Sequence, residues 1–361
     1  MNKKKICFIA QFPPPVHGLS KAVDTLYRSD ALNSKYNFQQ INITNNKMFL
    51  KNLVTIFKSD ADLFYFTISQ TKWGNLRDLL ILKVLEIRKR KCLVHLHGGY
   101  YRKLVEMDLK NWQRKANYNA IQKLDGVVVL GDSLKSIFRG MIDEKKIFTV
   151  PNCVDDEFVM NDEQFNEKEK NLTNRDIKHV LFLSNMIRSK GYETALQLAR
   201  EEKERCNKGA KRKYHFDFCG KFFTEDEEVY FNNFVKKYGL EKYVTYHGVV
   251  IGAEKRKALF DSDIFILPTR YPNEGQPISI IEAMANGLFI ITTDHAGIPD
   301  LVKDGVNGLV IKEGCSVSIE MLDCAAIADT AFRNRKTVLS YYTEAKYIEN
   351  MERCFEVILN R

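Results

Sequence analysis

Short apolar runs alternate with amphipathic stretches along nearly the whole chain. In the first half, strand-like runs fall at 6–10, 38–43, 63–67, 93–97, 127–130 and 148–150. Helical spacing of apolar positions lies between them, near 19–32, 75–90, 104–122 and 133–141. Residues 156–178 are polar with no sustained period and read as a linker. Alternation then resumes, with strands at 180–184, 215–219, 244–247, 264–267 and 289–292 and helical patterns near 191–206, 225–238, 253–261 and 277–286. A last helical stretch runs from about 338 to the end. Strands that alternate with helices of this length predict βαβ units and mainly parallel sheets. The fold class expected is therefore α/β, two Rossmann-like domains in series with a ligand cleft between them. The first spans 1–160 and the second 175–337, with the helix of about 342–361 packing back on the first.

The most informative stretch follows the run at 264–267. It reads Glu274-Gly275-Gln276-Pro277-Ile278-Ser279-Ile280-Ile281-Glu282 and continues to Gly287. Its place is the carboxyl end of a strand, where open α/β sheets bind ligands. Pro277 suits the first position of a helix and Gly287 the residue just past its end. The helix start then offers free N–H groups and the positive dipole end to an anion such as a diphosphate. Gly275 lets backbone approach closely. Glu282 sits among Ile278, Ile281, Ala283, Met284 and Ala285, where a carboxylate is costly to bury without partners. A vicinal diol such as that of a ribose would supply two donors to it. Glu274, in the loop before the helix, is placed to accept from sugar hydroxyls. The plainer alternative is an exposed helix glutamate and a turn glutamate. Lys190 falls in another strand-to-helix loop, where a cation would oppose the charge of a departing diphosphate. His97 closes a strand before two glycines.

These residues carry a resemblance. The Glu-x7-Glu pattern, followed by ITTDHAGIPDLVKDGVNGLVI, resembles the signature of family 4 of the retaining glycosyltransferases of GT-B fold. Residues 12–20 (FPPPVHGLS) resemble the glycine loop after the first strand, and LHGG at 96–99 resembles the histidine loop. VPNCVDDEF resembles the NGVD segment and SNMIRSKG the basic phosphate loop. The resemblance implies a nucleotide-sugar held mostly by the second domain and an acceptor bound by the first. It implies that Glu282 binds the donor ribose, that Glu274 contacts the transferred sugar, and that Lys190 with the backbone of Gly275, Gln276, Pro277 and Ile278 holds the diphosphate. It also implies that Gly18 and His97 line the site near the donor. In such enzymes transfer follows a same-face path in which a donor phosphate oxygen takes the acceptor's proton. The chain departs from the pattern where relatives carry an arginine five residues before the lysine, since that position is Asn185, and Arg188 stands near enough in sequence to supply the charge. Cys153 replaces the NGVD glycine, and His17-Gly18 stands for a double glycine.

Composition narrows the setting. The chain has 361 residues, 45% of them hydrophobic, enough for two cores. No run of about 18 apolar residues occurs, and the basic, briefly apolar start reads as an opening strand of a cytoplasmic protein and not as a signal peptide. The eight cysteines are scattered with no C-x-x-C pair, which argues against a zinc site or disulfide framework. Net charge is +9 overall, with +14 in residues 1–150 and −5 in the remainder. Such asymmetry points to an acidic partner. Residues 73–91 combine Trp73 with Arg88, Lys89, Arg90 and Lys91, and Trp112 lies in a second basic stretch, so this half is expected to meet an anionic membrane surface. Two D-x-D triplets, at 60–62 and 261–263, precede strands and so sit on the wrong edge for catalysis. No obligatory metal or other cofactor is expected, and no nucleic acid.

The function expected is a hexosyl-type retaining glycosyltransferase. It would use a UDP- more than a GDP-sugar and a glycan or lipid-linked acceptor in bacterial surface-polysaccharide biosynthesis. The alternatives are a UDP-sugar epimerase of the same architecture, which would convert donor without acceptor, and a non-catalytic membrane-bound partner.

Overall fold

The structure is a computed structural model that describes residues 3–14, 18–172, 175–323 and 326–361. The chain divides into two units. The first is built from 1–152 together with 344–361, and the second from 153–343.

The first unit holds β1 (Lys4–Ala10), β2 (Tyr36–Asn42), β3 (Leu63–Thr67), β4 (Lys91–His95), β5 (Gly126–Val129) and β6 (Ile147–Thr149). They form one sheet in the order β2-β1-β3-β4-β5-β6, parallel throughout. All five residues of β3 are buried, as expected of a central strand covered on both faces, whose sequence is apolar without alternation. The final helix, Glu344–Leu359, belongs to this unit. Its Phe355 ring packs near those of Phe8, Tyr36 and Tyr65.

The second unit holds β7 (Lys178–Leu183), β8 (Tyr214–Cys219), β9 (Val244–Gly248), β10 (Ile264–Leu267), β11 (Phe289–Thr293) and β12 (Gly308–Ile311). This sheet is also parallel, in the order β12-β11-β10-β7-β8-β9. The chain leaves β7 toward β8 on one side and returns as β10 on the other. The switch point therefore lies between β7 and β10, where α/β sheets open a crevice at their carboxyl ends.

Several expectations are corrected. The polar stretch 156–178 is no linker. It contains the helix Asp162–Leu172, with Phe165, Lys168 and Leu172 buried. Those positions stand at i, i+3 and i+7, a helical stripe disguised because its middle member is a lysine. The division falls at 152/153 and not at 160–175, and the second unit runs to 343 and not to 337. The closing stretch from 338 is two helices, Ile327–Tyr341 in the second unit and Glu344–Leu359 in the first. The pattern from 104 to 122 breaks after Asp108, and that near 133–141 is a tight turn over Asp132–Ile137. The helix Phe49–Lys58 and strand β12 were not anticipated.

Candidate active site

Three loops at the carboxyl ends of β7, β10 and β11 are tied together in the second unit. After β7 the chain makes a turn over Arg188–Lys190 and then Gly191, which adopts φ 87°. A Cβ on Gly191 would stand 2.5 Å from Pro268 Cγ and 2.6 Å from its carbonyl oxygen. Only glycine allows both that φ and that approach, and the approach seats the lysine loop on the end of β10. The Arg270 amide donates to the Ser189 carbonyl at 2.7 Å, and the Gly297 amide donates to the Gly275 carbonyl at 2.8 Å, joining the β11 loop to the others.

Lys190 and Glu274 meet in this frame. Lys190 Nζ lies 2.6 Å from Glu274 Oε2, with the two side chains 14% and 9% exposed. The buried Thr269 hydroxyl donates to the same oxygen at 3.0 Å. The Tyr271 amide donates in turn to Thr269 Oγ1 at 3.1 Å, and Lys190 Nζ stands 4.8 Å from the Tyr271 ring centroid. A nearly buried cation is thus held ready at the switch point, with a carboxylate and an aromatic face as its present partners.

Gly275, Gln276 and Pro277 are buried and lead into the helix Ile278–Ala285, whose cap is Pro277 with no side-chain cap bond. Glu282 lies on that helix, 3% exposed. Its partner is a residue that the sequence pattern did not single out. Lys255, from the helix Gly252–Asp261, places Nζ 2.6 Å from Glu282 Oε1 and 4.1 Å from the Phe158 ring centroid. Asn286 fixes the helix end, donating to the carbonyls of Glu282 at 2.8 Å and Phe158 at 2.7 Å. The Arg188 amide and guanidinium both donate to Glu227, and the guanidinium stacks over Tyr230 at 4.7 Å, so it is engaged away from the Lys190–Glu274 pair. Asn185 is exposed.

His97 and Gly18 belong to the first unit. Gly18 opens the helix Gly18–Arg28. Of the loop 12–20, residues 15–17, and with them His17, lie outside the described residues. The His97 ring lies 3.9 Å from that of His95. His95 is fully buried and hydrogen-bonded through Nδ1 to the Tyr65 hydroxyl at 2.7 Å. Burial, and then the charge of His97, hold His95 well below the usual histidine range. Both D-x-D triplets are structural. Asp62 accepts the Lys5 amide at 2.8 Å and Asp263 the His179 amide at 2.9 Å, each at the amino edge of its sheet.

Residues 163–322 match the family model of Glycosyl transferases group 1. Among curated relatives, a Salmonella typhimurium protein named as a colanic acid biosynthesis glycosyltransferase, WcaL, is 26% identical over 184 residues, 48% of this chain and 42% of its own. The amylovoran biosynthesis glycosyltransferase AmsK of Erwinia amylovora is 28% identical over 156 residues, 42% of this chain and 36% of its own. The chain thus spans less than half the length of these relatives. Among solved structures, Anabaena HepE in complex with UDP superposes with a TM-score of 0.73 at 13% identity, covering 98% of this chain and 100% of that one. A glycosyltransferase from Rickettsia africae gives 0.73 at 16%, covering 99% of each. The fold is GT-B.

Proposed function

We propose that this protein is a glycosyltransferase that moves a sugar from a nucleoside-diphosphate donor to a glycan or lipid-linked acceptor in bacterial surface-polysaccharide assembly. The donor is a UDP-sugar in preference to a GDP-sugar, the anomeric configuration is retained, and no metal is obligatory. The observation that carries this reading is the Lys190–Glu274 pair at the switch point, with buried Glu282 eight residues beyond it. Two likenesses support it: HepE was solved with UDP and with UDP-glucose, and the curated relatives are named for colanic acid and amylovoran biosynthesis.

In this reaction the bond from the anomeric carbon to the diphosphate oxygen breaks. The acceptor oxygen bonds that carbon on the same face, and the acceptor's proton passes to a phosphate oxygen. Lys190 meets the charge that grows on the leaving group, exchanging part of its bond to Glu274 for the phosphate. The freed carboxylate of Glu274 accepts from the sugar hydroxyls. Glu282, oriented by Lys255, accepts from the ribose. Attachment to the cytoplasmic face of the membrane, through the basic first half, completes the proposal.

The test is a panel of UDP- and GDP-sugars followed by calorimetric binding, then by nucleotide release with lipid-linked acceptors, with the anomer read by NMR. Tight binding of one UDP-sugar and acceptor-dependent release of UDP, unaffected by EDTA, are expected. Conversion of the donor to an epimer without acceptor would overturn the transferase reading. Release abolished by EDTA and restored by manganese would overturn the metal-independent mechanism.

A further inference from the structure

Among the described residues, nine of the ten exposed large apolar side chains of the first unit lie between positions 48 and 112. Scattered surface leucines need no explanation, but a collection confined to one stretch does. The helix Phe49–Lys58 presents Leu50, Val54 and Phe57, spaced i, i+4 and i+7 and hence on one stripe. Its neighbour Lys72–Ile87 presents Trp73, Leu80 and Ile87 at intervals of seven, a second stripe. Arg88 lies over the Phe57 ring at 5.0 Å and joins the two stripes at their carboxyl ends. Asn111–Gln122, packed beside the second helix, adds Trp112.

Cations border these stripes. Lys47, Lys51 and Lys58 are exposed around the first helix, and Lys72 and Arg88 around the second. The acidic residues on the two helices are already engaged. Asp78 is buried and accepts the Ser69 amide at 2.6 Å beside Arg77, and Glu86 takes Lys83 at 2.9 Å and Lys123 at 2.6 Å. Arg90 and Lys91 stand apart from the surface, half-buried and donating to the carbonyls of Ser59 and of Ile358 and Leu359.

The geometry points to this two-helix face as the surface by which the protein lies on an anionic lipid bilayer. Rows of apolar side chains edged by lysine fit the boundary between headgroups and acyl chains, where long basic side chains reach up to phosphates. A second copy of the chain fits badly, because the face would set its lysines against the same lysines. A nucleic acid would leave Leu50, Val54, Phe57 and Ile87 without a role. The assignment rests on the membrane attachment proposed above and is independent of the transferase chemistry.

The two tryptophans of the chain, Trp73 and Trp112, both lie here, 84% and 57% exposed. Intrinsic fluorescence of the unlabelled full chain therefore reads this surface directly. With vesicles of phosphatidylcholine and phosphatidylglycerol the emission is expected to shift to the blue, and to shift far less with phosphatidylcholine alone or at high salt. In Leu50→Ser/Phe57→Ser, which keeps both tryptophans and changes exposed positions only, vesicle affinity should fall about tenfold or more. Lys51→Glu/Lys58→Glu should weaken binding to the anionic vesicles by about fivefold or more per reversal. Circular dichroism and UDP-sugar binding of both variants should match the parent. Vesicle binding unchanged in both variants would overturn the assignment. So would a blue shift that depends on protein concentration without lipid, which marks a second copy, or one produced by RNA and not by vesicles. A chain that binds neither UDP- nor GDP-sugars yet shows the expected vesicle behaviour would refute the transferase reading and leave this surface standing.

Discussion

Lys190 and Lys168 show how differently two lysines of one unit can be held. Lys190 is partnered by Glu274 at the switch point. Lys190→Ala should lower kcat by about 10²–10³ while shifting the donor KM much less, because its contact strengthens as leaving-group charge develops. An equal loss in KM with kcat intact would assign it to uniform binding instead. Lys168 is buried, and its Nζ makes a long hydrogen bond, 3.4 Å to the Leu259 carbonyl. Burial pushes it down to about 7, with the charge of Asp263 opposing. A base with a lowered folded pKa is destabilising when protonated. Stability is therefore greatest above the ordinary lysine value, falls as pH drops toward about 7, and stays low below it. At about 1.4 kcal/mol per unit the cost at pH 6 is a few kcal/mol. Lys168→Met should raise the melting temperature at pH 6 and raise it less near pH 10. Thermal melts at the two pH values check the sign, and destabilisation at both would refute it. The strand-end loop that carries Glu274 and the helix that carries Glu282 were legible from the pattern, and their roles came only with the family resemblance. Lys255 and Tyr271 were not legible, because nothing in a sequence tells which lysine or ring lies across from a carboxylate far along the chain.

At the scale of elements, the site depends on how one loop seats on the next. Gly191→Ala should cost about 1–3 kcal/mol, since it sets a Cβ 2.5 Å from the Pro268 side chain in a backbone conformation that L residues avoid. It should also reduce transfer by more than its loss of stability explains, because the adjacent Lys190 moves with it. Denaturant melts and kcat, measured on the same variant, separate the two effects, and full turnover with normal stability would show that the loop has another resting place. The helix Phe49–Lys58 carries a helical contrast in its sequence, FLKNLVTIFK, with its six apolar residues on one side and Lys51, Asn52, Thr55 and Lys58 on the other. What the pattern does not record is that this apolar side is only partly covered, with Ile56 buried and Leu50, Val54 and Phe57 exposed.

For the whole molecule, the order of the units along the chain is not the order of their cores. The last helix, at 344–361, completes the first unit. Its Phe355 is fully buried, with its ring 6.1 Å from each of the Tyr36 and Tyr65 rings. Phe355→Ala should therefore destabilise by about 3–5 kcal/mol. Hydrogen exchange should place the loss in β1, β2 and β3 and leave the strands of residues 178–311 protected as before. Weakened protection in the second unit instead would mean that the helix supports that unit.

What the sequence by itself determined was the alternation of strand and helix, and with it parallel sheets, because the spacing of apolar residues follows from burial. It also placed Glu274 and Lys190 in loops at strand ends and Glu282 on the helix that follows, since chain order puts every βα loop on the same edge of a parallel sheet. Tertiary structure alone decided which loops meet. Strand order made β7 and β10 neighbours and so brought Lys190 within 2.6 Å of a carboxylate 84 residues later. It decided that Arg188 turns to Glu227 and that Lys255 covers Glu282. It also set the outward faces of two helices side by side. Local patterns record whether a residue is buried, and pairing across a sheet or between helices depends on topology, which no local pattern records.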